Sequence, residues 1–569
     1  MKNTKFIKII LYSFFPIFIT LITEYNHMQN FNVLLEFITS NFTVFIYGVV
    51  LTSIIFLSLL FFIKKSHIAV MIQSIILYIL STVEYFKYTT SGTHLTLSDL
   101  AMTQNISDVG KFASLDITWP LVIDLVLILL YIKLCSMYKL NLNFSLKKRL
   151  ITSFIFVGIL LASILLPAPS TNIYATFKID NEDSTNIFDI NNSFDNNGLI
   201  GFLSQTTTQK FSSILHKPEN YSEEFIESNL STEKEVSEVY DKPNVIFIMS
   251  ESFGDFRNLD SSKDLSSYYE SYDSIASENF LGNCVVPTFG GYTTRTEFEL
   301  LFGLPVYSLN TPTIPHKIIN VENDIDSIPS YFKSLGYTTT YIHPFSGSFY
   351  SRNSAYPDFG FDNLYFEEDM TDATRFRRYI DDSSVFEKIK VQLQEDKTSS
   401  YIFTTTMQNH QPYYDETSNL TELEYYLEGT KKTGDDLKSF LSWLDDFEED
   451  VILVFVGDHY PFFTPSSNVY NEFGINNDNT EKLYEQKYLI YNNYNKDFSY
   501  LSDKNISTFY LPYVVIDSLD TPVDSFITTM INHMDTTSIY SPNIQSIDGR
   551  DEILDNLTYD RVEGENYSK

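Results

Sequence analysis

The first 169 residues carry five apolar stretches, at about Ile7–Thr23, Val44–Ile63, Ile68–Phe86, Pro120–Met137 and Ile151–Leu166. Each is roughly as long as a helix must be to cross ~30 Å of hydrocarbon. Buried helices of a soluble α domain are the alternative, but five such stretches with so few internal charges argue for membrane spans. The first is too long and too lightly punctuated to be only a signal peptide, and four more follow it.

The loops orient these spans. Lys2, Lys5 and Lys8 precede or open the first, Lys64 and Lys65 separate the second from the third, and Lys139, Lys147, Lys148 and Arg149 separate the fourth from the fifth. The alternate loops carry Glu24 and Glu36, then Asp99, Asp108 and Asp116 against Lys87 and Lys111. An excess of Lys and Arg marks the cytoplasmic side, so the N-terminus is expected in the cytoplasm and everything after Leu166 outside the cell.

At 569 residues the chain exceeds one ordinary core, so at least two structural units are expected. Residues 1–169 hold 12 Lys and Arg against 7 Asp and Glu, which leaves 27 against 66 for the remaining 400 residues. A net charge of about −39 on that part argues against nucleic acid as a partner. Cys135 falls in the fourth span and Cys284 in the outer part, so no disulfide is expected. A disulfide-free outer domain suits a bacterial surface. Residues 170–241 read as a connector, polar over Asn181–Asn197, with an amphipathic helix over Leu199–Leu215 and an acidic stretch from Pro218 to Lys242.

From residue 242 onward, strand-like runs alternate with helical ones. The runs Asn244–Ser250, Tyr337–Ile342, Tyr401–Met407 and Val451–Gly457 are rich in Val, Ile, Phe, Tyr and Thr and read as buried strands of a mostly parallel sheet. Helices are expected over Ser327–Leu335, Ser383–Leu393, Asp435–Phe447 and Pro522–Met534, the βαβ alternation of an α/β domain. Each strand run leads to a polar residue able to bind a metal or a phosphate. These are Glu251, His343, His410 and the pair Asp458-His459. In open α/β sheets, ligands bind outside the carboxyl ends of the strands. Two carboxylates with one imidazole suit Mn²⁺, Mg²⁺ or Zn²⁺.

Gly290-Gly291-Tyr292-Thr293-Thr294-Arg295-Thr296-Glu297 places a glycine turn before helical apolar spacing. A helix N-terminus there would present N–H groups to an anion. Thr293 could serve as a nucleophile with a metal beside it, and Thr294 and Thr296 are rivals on the same evidence. The spacing alone favours an ordinary N-cap at Thr293. His343 and His410 could equally be core or surface histidines. Arg352 could be a routine surface cation or a bidentate clamp on phosphate oxygens.

Taken together these features resemble the lipoteichoic acid synthase family, membrane-bound phosphoglycerol transferases with a sulfatase-like, alkaline-phosphatase-type outer domain. The resemblance rests on Asn244–Glu251 with Ser252-Phe253, on Gly290–Phe298 with Gly303-Leu304-Pro305, on His343 through Arg352, on Met407–His410 with Gln411-Pro412-Tyr413, and on Gly457-Asp458-His459. It implies a five-helix transmembrane domain (1–169), the connector (170–241) and an extracellular α/β catalytic domain (242–569) with a central, mostly parallel sheet. It further implies one divalent metal, Mn²⁺ or Mg²⁺, held by Glu251, Asp458 and His459, with Thr293 as fourth ligand and nucleophile. His343, Tyr350, Arg352 and His410 would contact the substrate. The implied donor is phosphatidylglycerol, and the acceptor a glycolipid or glycopolymer of the envelope such as lipoteichoic acid. Tyr292 and Phe345 depart from the family pattern, where some members have a basic and an acidic residue. The rival readings are phosphoethanolamine transfer by the same fold and a non-catalytic membrane-anchored binding protein. A formylglycine sulfatase, which would need a Cys or Ser usually in a Cys-x-Pro-x-Arg setting, is set aside because Cys284-Val285-Val286-Pro287 has the wrong spacing.

Overall fold

A computed structural model describes residues 2–96, 117–140, 142–180, 187–211, 217–232, 242–309, 315, 326–415, 417–464, 467–476, 478–544 and 549–569. The chain divides into two compact units, Met1–Ser213 and Ile214–Lys569, so the division falls inside the segment read as a connector.

Among the described residues of the first unit, five helices are long and apolar enough to cross a membrane, over Phe6–Met28, Phe42–Ile63, Ser66–Thr90, Trp119–Met137 and Leu146–Leu165. Tyr12, Phe15 and Ile19 of the first pack on Phe56, Val70 and Ile128 of its neighbours. Outward, Ile9, Ile79, Leu130 and Phe154 are each more than half exposed, a surface that suits hydrocarbon rather than water. The expected helix over Leu199–Leu215 is seen, as far as Phe211, as the second half of Ile187–Phe211, which breaks at Gly198; residues 212–215 lie outside the described residues. The Glu24 carboxylate accepts the N–H groups of Leu199 (2.9 Å) and Ile200 (3.3 Å), capping the half that follows the break. Cys135 and Cys284 are both buried free thiols.

Among the described residues, the second unit is built on a mixed sheet of eight strands. These are β1 (Asn244–Ser250), β2 (Phe280–Val285), β3 (Thr338–Ile342), β4 (Asn363–Tyr365), β7 (Ser400–Thr405), β8 (Val451–Gly457), β9 (Glu485–Asn492) and β10 (Asn505–Ser507), in the order β10-β2-β9-β8-β1-β7-β3-β4. A two-stranded ribbon, β5 (Arg375–Phe376) with β6 (Tyr379–Ile380), stands apart. The five strands from β8 to β4 run parallel, and β9 joins antiparallel to β8 and β2. Alternate residues of β1 enter opposite layers. Val245, Phe247 and Met249 pack with Leu300, Leu301 and Val514, while Ile246 and Ile248 pack with Phe386, Leu437 and Phe440. Helices therefore cover both faces, which explains why the central strands read as continuous apolar runs.

The register sets the site. Ser250 lies opposite Gly457, Met249 opposite Thr405, and Thr404 opposite Ile342, so β1, β3, β7 and β8 all end at one edge. The chain leaving β1 folds over the end of β8. A side chain at Gly457 would place its Cβ 1.9 Å from the Phe253 carbonyl oxygen, so only glycine permits this approach. The helix expected from Asp435 begins earlier, at Glu422, where Thr421 and Glu424 form a capping box.

Candidate active site

Glu251, Asp458 and His459 come together at the ends of β1 and β8. All three are buried, and one ligand atom from each lies within 4.8 Å of the others. Asp458 Oδ1 accepts the N–H groups of Ser252 (2.7 Å) and His459 (2.9 Å), while Oδ2 is buried without a hydrogen-bond partner and lies 3.2 Å from His459 Nε2. His459 Nδ1 sits 2.9 Å from the Tyr460 carbonyl, which fixes the proton on Nδ1 and leaves the Nε2 lone pair facing Oδ2. Ser252 Oγ donates to Glu251 Oε1 at 2.8 Å. Burial first, and the neighbouring Asp458 second, push the Glu251 carboxyl well above the usual range, and burial raises Asp458 as well. Two crowded carboxylates, an orphaned oxygen and an imidazole lone pair turned toward it form a donor set that fits a divalent cation.

Thr293 opens the helix Thr293–Phe302 as its first residue. The cap position belongs to Tyr292, in a left-handed conformation and without a capping side chain, so the N-cap reading of Thr293 is corrected. Gly290 (φ 69°) makes the turn that precedes it, its N–H donating to the Tyr460 carbonyl at 3.0 Å. The Thr293 hydroxyl lies 3.4 Å from His459 Nε2. The rivals sit in different surroundings. Thr296 Oγ1 donates to the Asp458 carbonyl at 2.8 Å, and Thr294 is fully buried.

A second buried cluster lies at the ends of β3 and β7. Arg352, 1% exposed, donates from Nη2 to Glu297 Oε2 (3.0 Å), from Nε to both Glu297 oxygens (3.3 Å each), and from Nη1 to His343 Nε2 (3.3 Å). His343 Nδ1 donates to the Thr405 carbonyl at 2.8 Å, and burial together with Arg352 lowers its pKa to about 3, so the ring is neutral. Tyr350 and Ser351 both adopt left-handed backbone, and the Tyr350 ring lies 5.2 Å from the Arg352 guanidinium. His410 is half-buried; its Nδ1 faces the Gln411 carbonyl (2.8 Å) and the Tyr379 hydroxyl (3.2 Å). Burial lowers its pKa to about 4.

Glu297 and Tyr379 were missed in the sequence. The Thr-Glu-Phe-Glu stretch contains Glu297, and its helical spacing of four from Thr293 was the available signal. Nothing local marks Tyr379, which meets His410 only through the fold.

Five apolar helices, followed by an α/β domain with a buried carboxylate–imidazole cluster at its strand ends, define the alkaline-phosphatase-like class. Residues 243–535 match the sulfatase family, and the chain belongs to it. It is 32% identical over 41% of its length to a protein of Rhizobium meliloti (strain 1021) named for cyclic beta-1,2-glucan modification, covering 37% of that protein. It is 25% identical over 30% of its length to lipoteichoic acid synthase of Staphylococcus saprophyticus subsp. saprophyticus, covering 28% of it. The chain thus spans well under half the length of these curated relatives. Among solved structures, Streptococcus pyogenes phosphoglycerol transferase GacH in complex with sn-glycerol-1-phosphate superimposes with a TM-score of 0.51 at 21% identity, over 62% of this chain and 97% of that one. That likeness is one of fold.

Proposed function

We propose that this protein is a metal-dependent phosphoglycerol transferase. It moves glycerol phosphate from phosphatidylglycerol, in the outer leaflet of a bacterial cell membrane, to an envelope acceptor such as lipoteichoic acid. The membrane unit holds the enzyme beside its lipid donor, with the N-terminus cytoplasmic and the second unit outside. Glu251, Asp458 and His459 hold one Mn²⁺ or Mg²⁺, with Thr293 as the fourth ligand. The ion, when bound, lowers the pKa of a neighbouring hydroxyl and draws charge from phosphoryl oxygens. Thr293 Oγ1 attacks the phosphorus, the bond to the diacylglycerol oxygen breaks, and a phosphoglycerol ester forms on Thr293. An acceptor hydroxyl then attacks the same phosphorus and releases Thr293. Arg352 and Tyr350 engage the phosphoglycerol group, with His343 as a neutral acceptor beside them. His410 carries a proton between leaving and attacking oxygens.

The observation that carries this reading is the Thr293 hydroxyl, 3.4 Å from the one imidazole of the cation-binding set, at the start of a helix. Intact-mass analysis of the full chain in detergent, incubated with Mn²⁺ and phosphatidylglycerol, tests it. A phosphoglycerol adduct that disappears in Thr293→Ala is the expected result. Undiminished diacylglycerol release by Thr293→Ala would overturn it. An adduct formed only from phosphatidylethanolamine would move the protein to phosphoethanolamine transfer.

A further inference from the structure

Glu297 has no place in the chemistry above, yet it is among the most completely satisfied charges in the protein. It is 0% exposed. Its Oε1 accepts from Thr405 Oγ1 (2.5 Å) and the Tyr341 hydroxyl (2.9 Å), and its Oε2 accepts from the Tyr356 hydroxyl (2.8 Å) and Arg352 Nη2 (3.0 Å). These donors come from the end of β7, from β3 and from the segment that carries Arg352. Glu297 itself stands four residues after Thr293 on the same helix. One carboxylate therefore ties the helix that begins at Thr293 to Arg352 and to both strands between them.

The guanidinium has five N–H groups. Its Nε proton and one on Nη2 go to Glu297, and one on Nη1 goes to His343. That leaves one N–H on each terminal nitrogen. A pair of this kind is what a bidentate contact to two phosphate oxygens requires. An arginine side chain carries about 2 kcal/mol of rotamer freedom, and here the contacts to Glu297 and His343 restrict it.

We propose that Glu297 is a positioning residue for the transfer reaction. It fixes the plane of Arg352 so that the two remaining N–H groups meet the phosphoryl oxygens at a set distance from Thr293. This rests on the reading of Arg352 as a phosphate ligand. Such a fixed donor acts on charge that develops during transfer, so its loss falls on kcat more than on KM.

The test uses the full chain in detergent with Mn²⁺ and phosphatidylglycerol, reading diacylglycerol release. Glu297→Gln keeps the shape and removes the charge. It is expected to lower kcat by about 10- to 100-fold, the worth of one charged hydrogen bond, with KM within about threefold. Arg352→Lys loses the fork, and the double variant Glu297→Gln/Arg352→Lys should be no worse than the poorer single one, since both changes break one unit. If Glu297→Gln fails to fold, Tyr356→Phe and Thr405→Val each remove one bond to Glu297 and leave Arg352 in place. Each should then lower kcat several-fold in the folded fraction. Full activity in Glu297→Gln, or in the folded fraction of both milder variants, beside a dead Arg352→Ala overturns this inference and spares the reading of Arg352. Full activity in Arg352→Ala overturns both.

Discussion

Two buried clusters of charge share one edge of the sheet, and they are opposites. At the ends of β1 and β8, Glu251 and Asp458 crowd one imidazole, and Asp458 Oδ2 has no hydrogen-bond partner. At the ends of β3 and β7, Glu297 and Arg352 neutralise each other, and hydroxyls of Tyr341, Tyr356 and Thr405 complete the carboxylate. The first crowds two carboxylates around one imidazole, a donor set that could hold a cation. The second is balanced by its own residues and needs nothing to hold its shape. An unpaired buried charge costs several kcal/mol, whereas a paired and hydrogen-bonded one can be tolerated as fixed apparatus. The contrast separates a place fitted to receive a ligand from a place that is already built.

The largest way to break this contrast is to remove a charge from the unbalanced cluster. Asp458→Asn should lower diacylglycerol release by about 10³-fold or more, since it takes a ligand from the cation and weakens its hold on both oxygens. The same change separates the clusters in a binding measurement. At a Mn²⁺ concentration 100 times its Kd, the wild-type protein should gain about 2.7 kcal/mol of stability. That gain should vanish in Asp458→Asn and persist in Glu297→Gln. Melting temperatures with Mn²⁺ and with a chelator would show it. An equal loss of the Mn²⁺ effect in both variants would join the two clusters into one.

The clusters also differed in how much of them could be read in the sequence. Glu251 and Asp458-His459 were legible because each follows directly on a fully buried parallel strand, and such strands announce themselves as apolar runs. Adjacency in the sheet then did the rest, since β1 and β8 are neighbours. Glu297 was hidden because its partners lie 44 to 108 residues away and are Tyr, Thr and Arg, residues with ordinary reasons to occur anywhere. The misplaced cap has a related cause. Spacing shows where a helix can start, but Tyr292 takes the cap through a left-handed turn that Gly290 and Gly291 lead into, and backbone of that kind leaves only a weak trace in sequence. β2, β4, β9 and β10 went unread: β9 mixes Glu485 and Lys487 with apolar residues, Gly282 and Asn283 interrupt β2, and β4 and β10 are three residues long.

An intermediate test sharpens the comparison through pH. His343 belongs to the balanced cluster, with its pKa held at about 3 by burial and by Arg352. An unfolded histidine titrates near 6.5, so between pH 6.5 and about 3 the unfolded chain binds a proton that the folded one refuses. The contribution to stability is complete above pH 6.5 and is lost as the pH falls, at about 1.4 kcal/mol per pH unit. His343→Gln should flatten that part of the acid slope in urea melts carried out in chelator between pH 7 and 4.5. An unchanged slope would mean that His343 is protonated in the folded protein and that the cluster is not balanced.

The smallest expected effect lies where the balanced cluster meets its substrate. Tyr350 holds left-handed backbone at φ 57°, followed by Ser351 at φ 62°, and its ring lies 5.2 Å from the Arg352 guanidinium. Non-glycine residues adopt that backbone at some cost, and two in succession turn the chain sharply before Arg352. A ring over the guanidinium contributes about 0.5–1 kcal/mol when partly exposed. Tyr350→Phe keeps both ring and backbone, and so separates the part played by the ring from that of the hydroxyl. Tyr350→Leu loses the ring, and KM for phosphatidylglycerol should rise about two- to fivefold at constant kcat, because Glu297 still fixes Arg352. A fall in kcat as large as that of Glu297→Gln would show that the ring, and not the carboxylate, sets the plane of the arginine.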